Sequence, residues 1–158
     1  MIKIKVSFEI WVQLLGMFGV LGGLVFVGLE MQQSQRIAMA GQQQERTAIS
    51  TQQYAAFTES GLDWHSIVFE NRPELSDQYS PSVAAGRNNF HLGLFIYEND
   101  YFQYSQGLMP EEVWQSKLAA LAFFKNQCNL RDIWESRKRF FPEGLITLLD
   151  SLPDECGK

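Results

Sequence analysis

The stretch that decides the architecture is "IWVQLLGMFGVLGGLVFVGL", residues 10–29, followed at once by "EMQQSQR", residues 30–36. From Ile10 to Leu29 there is no charge, and Gln13 is the only strongly polar residue. As a helix, this run spans about 30 Å, the hydrocarbon thickness of a bilayer. Trp11 lies near one end, where an indole suits the headgroup layer. A soluble helix of this length needs a polar face, yet after Gln13 Gly, Leu, Val, Phe and Met occupy every side. The reading is an uncleaved transmembrane anchor.

Two rivals compete with it. A buried core helix is a poor fit to a chain of 158 residues, which supports one modest core. A cleaved signal is suggested by Lys3, Lys5, the apolar run and "AMA" at Ala38–Ala40. Against cleavage, the apolar run is long for a signal, and the polar "EMQQSQRI" separates it from that site.

Gly16, Gly19, Gly22 and Gly23 cluster toward one side of the anchor, and Gly19 with Gly23 forms a GxxxG. Missing side chains let another backbone approach, so the expected partner in the lipid bilayer is another membrane protein or a second copy. Glycine is also common in membrane helices generally. Lys3 and Lys5 precede the span, and Arg36 and Arg46 follow it. The slight basic bias puts the N-terminus in the cytoplasm and the bulk of the chain on the extracytoplasmic side of the inner (cytoplasmic) membrane.

The expected organisation is a short flank (1–9), an anchor (10–29), a juxtamembrane helical stalk (30–53), a soluble helical domain (54–152) and a tail (153–158). The stalk is rich in Gln, Glu, Ala and Arg and has no Pro. It shows no leucine heptad. Tyr54, Phe57, Gly61, Trp64 and Val68 recur at helical steps, predicting a core-facing stripe that Gly61 interrupts, as a bend or a close contact, and that stops near Arg72 before Pro73.

A second helix is expected from Ala84 or Gly86 to Gln106, with Gly107 as terminator. A third follows Pro110, with Glu111 and Glu112 at its positive end and Val113, Leu121 and Phe124 on one track. A fourth is expected to be capped by Asn129, and a short last one opens at Pro142. No alternating strand pattern occurs. The fold class is all-α: a transmembrane helix, a stalk, and a module of four or five helices.

The formal net charge of −5 disfavours a nucleic-acid partner. "RKR" at Arg137–Arg139 reads as a solvated helix face, although Arg137, with Leu130, Ile133 and Trp134, also faces inward or flanks the inner face of the fourth helix. Cys128 and Cys156 form no CxxC or metal-ligand cluster. They are either one bond onto the C-terminal tail or two free thiols.

Chemistry is sparse. His65 reads as a packed or capping histidine. His91 shares a broad helical face with Asn88 and Glu98, which would suit proton transfer or a metal. No HExxH or ExxH accompanies it, and a hydrogen-bond network is the better reading. Tyr97, Tyr101 and Tyr104 have the spacing that helix packing requires. No phosphate-binding glycine loop or nucleophile elbow is present. The expectation is therefore no enzyme, no cofactor and no metal.

Three stretches carry a resemblance: "FENRPEL" (69–75), "YENDYFQYSQGLMPEEVW" (97–114) and "IWESRKRFFPEGL" (133–145). With the Gln/Arg-rich segment after the span, the layout over roughly residues 8–150 resembles a loose group of uncharacterised bacterial single-span proteins. The resemblance implies membrane attachment and a small helical domain, and it assigns no activity. Within that layout, Arg72, Glu98, Glu112, Arg131 and Arg137 are expected to form structural ion pairs.

Three functions follow. An interaction or scaffold protein, such as an accessory subunit of a membrane complex or a self-associating anchor, fits best. A membrane-tethered sensor or ligand-binding module is second. A small hydrolase or metal enzyme using His91 and Glu98 is third.

Overall fold

The computed structural model describes residues 7–157, so Lys3 and Lys5, on which the expected orientation leans, lie outside the described residues. The chain divides into two compact units, residues 1–39 and 40–158. All regular structure among the described residues is helical.

The first helix, α1, runs Phe8–Glu59 without a break. Over Ile10–Leu29 its side chains are exposed except for half-covered Leu14. An 18-residue window there has a mean hydropathy of 2.1 and no buried residue. Among the described residues none buries any part of that window, which counts against the buried-core reading. Its length and composition fit a membrane span, and an N-terminal signal passes the same test.

The second unit begins at Ala40, so the last twenty residues of α1 belong to it. Ala40 and Tyr54 are buried there. α1 ends sooner than the periodic stripe predicts. Gly61 adopts φ +69°, Gly61 N–H donates to Thr58 O, and Leu62 N–H reaches back to Phe57 O. This left-handed glycine cap turns the chain before Trp64. Trp64 is still buried, but Val68 is 45% exposed, because the two no longer share one helix.

After the turn, the segment 62–79 carries a single π-helical turn, His65–Phe69, and a one-turn α-helix, α2, Pro73–Ser76. α3 runs Pro81–Ser105, several residues earlier than expected. The reason is local. Ser80 Oγ accepts from Val83 N–H, and Pro81 presets the first helical φ. α3 ends with the same device as α1: Gly107 at φ +72°, with Leu108 N–H donating to Gln103 O.

α4 spans Glu111–Lys125. A 3₁₀ turn, Cys128–Leu130, leads into α5, Arg131–Lys138. Asn129 lies inside that turn and does not cap α5; Leu130 occupies the cap position. α6 spans Glu143–Ser151 after Pro142, as expected.

The apolar core joins α3, α4, α5 and α6 through Phe90, Leu94, Trp114, Leu121, Ile133, Trp134, Leu145 and Leu149. The expected track through Val113 is displaced by one residue. Val113 is 42% exposed, and Trp114 is buried and stacked on Tyr104 at 4.9 Å. At Gly93 the Phe124 ring of α4 lies directly against α3: a Cβ there would collide with the ring.

The tail is held by Arg131, whose guanidinium donates to both Asp154 oxygens at 2.7 and 3.2 Å. Cys128 and Cys156 form a disulfide, which decides the alternative left open by the sequence. Buried Lys125 donates to Leu149 O and Leu152 O, closing the end of α6.

Candidate functional site

The densest buried polar chemistry lies where the 62–79 segment crosses α3. Four α3 positions fall on the same stretch: Ala84, Arg87, Asn88 and His91 are all buried. Helical spacing of three and four residues brings them to one face. The last three hold the segment.

Asn88 holds its beginning. Its Oδ1 accepts from Trp64 N–H at 2.8 Å, and its Nδ2 donates to Leu62 O at 2.8 Å and Thr58 Oγ1 at 3.2 Å. These bonds satisfy backbone groups that the turn after α1 leaves without helical partners.

Arg87 holds the middle. Asp63 is completely buried. Its Oδ2 accepts from the N–H and hydroxyl of Ser66, capping the π-helical turn. Its Oδ1 accepts from Arg87 Nε at 3.1 Å. Arg87 also donates to Asp132 of α5 at 2.8 Å and lies 4.4 Å from the Tyr79 ring centroid. Burial opposes the Arg87 charge, but Asp132 and Asp63 outweigh it and hold the guanidinium protonated. Ser76 Oγ accepts from Asp63 N–H at 2.9 Å, tying α2 to the same point.

His91 holds the far side. Its Nε2 lies 2.9 Å from His65 Nδ1, and neither residue is exposed. Tyr54 stacks on His91 at 5.8 Å and Trp64 meets it edge-on at 4.8 Å. Phe69 stacks on His65 at 5.2 Å. His65 Nε2 lies 3.4 Å from Glu70 Oε1 without the alignment of a hydrogen bond, and Glu70 is partly in solvent.

This geometry selects the tautomers. If His65 Nδ1 carried the proton, His91 Nδ1–H would be buried with no acceptor, and the bare His65 Nε2 would face the Glu70 carboxylate. With the proton on His91 Nε2, that N–H donates to His65 Nδ1, and His65 Nε2–H faces Glu70. Burial pushes His91 down to about 2, with His65, Arg137 and Arg87 adding to the effect. Burial also lowers His65, against the pull of Glu70, Asp132 and Asp63. Burial pushes the Tyr54 phenol up to about 12; Arg137 opposes that shift and Glu98 adds to it.

The residues expected to pair fare differently. Glu98 Oε2 accepts from Arg137 at 3.2 Å, with Arg137 buried and its guanidinium 4.5 Å from the Phe95 ring centroid. Burial raises the Glu98 carboxyl, and Arg137 opposes that. So the RKR run is not a uniformly solvated face: Arg137 is inside, and Lys138 bonds Asp150. Arg131 pairs with Asp154 and, at 2.8 Å, with Glu135. Arg72 meets only its neighbour Glu74, at 3.2 Å on the open surface, where such a pair contributes little. Glu112 is exposed and has no ion-pair partner among the described residues.

His91 and Glu98 are not brought together. His91 faces His65, and Glu98 faces Arg137. Among the described residues, no three His, Cys, Asp or Glu side chains converge to hold a metal. Gly16, Gly19, Gly22 and Gly23 open onto empty space: a Cβ added at any of them would meet nothing within 4 Å.

A groove of about 430 Å³ lies between the end of α1 and the start of α3, lined by Thr51, Tyr54, Ala55, Thr58, Asn88 and Leu92 among others. Its size is within the range of small-molecule sites. Its hydroxyls are already committed: Thr51 donates to Thr47 O and Thr58 to Tyr54 O.

Sequence reasoning missed Asp63, Arg87 and the His65–His91 contact. Arg87 and Asn88 on the helix face shared with His91 were a usable signal, since polar residues there need partners. Which partners was not legible, because they come from an irregular segment. Comparisons with protein-family models, with curated proteins and with solved structures return no match for this chain.

Proposed function

We propose that this chain is a single-pass membrane-anchored interaction protein, an accessory subunit of a membrane complex or a self-associating anchor. The observation that carries the reading is the bare apolar surface of Ile10–Leu29. Left in water, each large side chain there forfeits on the order of 1.5–3 kcal/mol of burial. Lipid, with a partner helix against the glycine side, removes that cost.

The tail supports one side of the membrane over the other. A disulfide between Cys128 and Cys156 favours an oxidising compartment, because thiols stay reduced in most cytosols. The helical unit is accordingly extracytoplasmic and the anchor's N-terminus cytoplasmic. The remaining polar chemistry is devoted to holding the helices together, which favours a binding module over a catalyst.

Purification of the full chain in mild detergent, with mass measured by light scattering, tests the interaction role. A defined oligomer or a stoichiometric co-purifying membrane protein is expected. A monodisperse monomer with no companion would contradict it.

The α1–α3 groove favours a second reading, a tethered ligand-binding module. It predicts that Leu92→Trp, which fills the groove, changes the response to a small apolar ligand without changing the fold.

A further inference from the structure

The His91–His65–Glu70 chain runs from a dry interior to the surface. The 62–79 segment is closed over α3 by two imidazoles that meet in that interior, with one carboxylate leading outward. The segment itself is conformationally costly. It contains a π-helical turn, and Asn71 sits at φ +55°.

We propose that this chain is an acid-sensitive latch: protonation of the His65–His91 pair releases the 62–79 segment from α3 while the core of α3–α6 stays folded.

Proton positions are the basis. In the neutral pair the His91 Nε2–H donates to His65 Nδ1, and the His65 Nε2–H lies beside the Glu70 carboxylate. A proton added to His65 Nδ1 would set two N–H groups against each other at 2.9 Å. The pair escapes only if His91 shifts its proton to Nδ1, which has no partner and no access to solvent. One charge can then be shared with Glu70, but a second has no counter-ion.

Charged groups face the pair from three sides. From the segment come Asp63 and Glu70, from α3 Arg87, and from α5 Asp132 and Arg137. α1 contributes the phenol of Tyr54. Asp63 and Asp132 are already bonded to Arg87, and Arg137 to Glu98. That leaves Glu70 as the single uncommitted counter-charge among them.

The direction of the effect is fixed by linkage. Both histidines are harder to protonate in the closed state than in the open one. Closure is therefore fully favoured above the free-histidine value of about 6.5, and it weakens as pH falls below that. From pH 7.5 to 5.0, one histidine shifts the open/closed ratio by about 30-fold, and two by up to about 1000-fold.

Hydrogen–deuterium exchange on the full chain in detergent tests this, with rates corrected for the intrinsic pH dependence of amide exchange. Peptides covering residues 62–79 are expected to lose at least about 30-fold in protection between pH 7.5 and 5.0, and at pH 5.0 to be far less protected than peptides from α4. Unchanged protection in 62–79, or protection there equal to that of α4 at pH 5.0, which would mean that the segment opens only with the whole fold, would overturn the latch. The double variant His65→Gln, His91→Gln is expected to abolish the pH dependence, and retention of that dependence would also overturn it. Glu70→Gln, at a partly exposed position that does not threaten folding, is expected to move opening to higher pH by removing the counter-charge. No movement with Glu70→Gln would overturn the role given to Glu70.

Discussion

Asp63 and Arg87 meet at 3.1 Å with their side chains 0% and 6% exposed, twenty-four residues apart in sequence. The pair joins an irregular segment to α3, and through Asp132 it reaches α5. Its charges are satisfied by each other and by Ser66, so the arrangement stands or falls as a unit. Arg87→Met should cost about 3–5 kcal/mol, because it strands a buried carboxylate. Thermal unfolding in detergent checks this. Arg72→Met, at an exposed pair, serves as the comparison and should change stability by less than about 1 kcal/mol.

Stability should also depend on acidity with a definite sign. His91 is held down at about 2 and His65 is lowered as well. Groups that resist protonation only when folded stabilise the fold above their unfolded value and lose that contribution as pH falls. Below about pH 6.5, each should remove about 1.4 kcal/mol per pH unit until its own folded value is reached. Urea titrations at pH 7.5, 6.5 and 5.5 measure the slope, which His91→Phe should reduce.

The Cys128–Cys156 bond closes a loop across 28 residues and pins the tail beside the Arg131–Asp154 pair. On the chain-entropy account, a loop of that size stabilises by about 3–4 kcal/mol. Cys128→Ser should lower the unfolding midpoint accordingly. Adding reductant to the unaltered protein should reproduce the loss, and alkylation of intact cells should find both thiols blocked.

Much of the fold was legible because helices announce themselves locally. The apolar run of α1, Gly107 ending α3, Pro110 before α4 and Pro142 before α6 each act through their own backbone or a turn of neighbours. The error at Val68 has the opposite origin. Helical periodicity continued through Gly61, but that glycine took a left-handed conformation and reset the phase. Val113 was misplaced for a related reason, since two adjacent apolar residues fit one helix and only packing against Tyr104 chooses Trp114. The site itself was least legible. His91 was singled out, yet its partner is His65, brought in by an irregular segment whose path no periodicity describes. Glu98 and Arg137 were both expected in ion pairs, and the structure makes them partners of each other.

The central claim is that Ile10–Leu29 resides in lipid as an uncleaved span. Alkaline carbonate extraction of cell membranes, followed by intact-mass measurement of the protein in each fraction, tests it most directly. The account predicts full-length chain in the membrane pellet, released only by detergent. Full-length chain in the carbonate supernatant, or a soluble product lacking the apolar run, would contradict it.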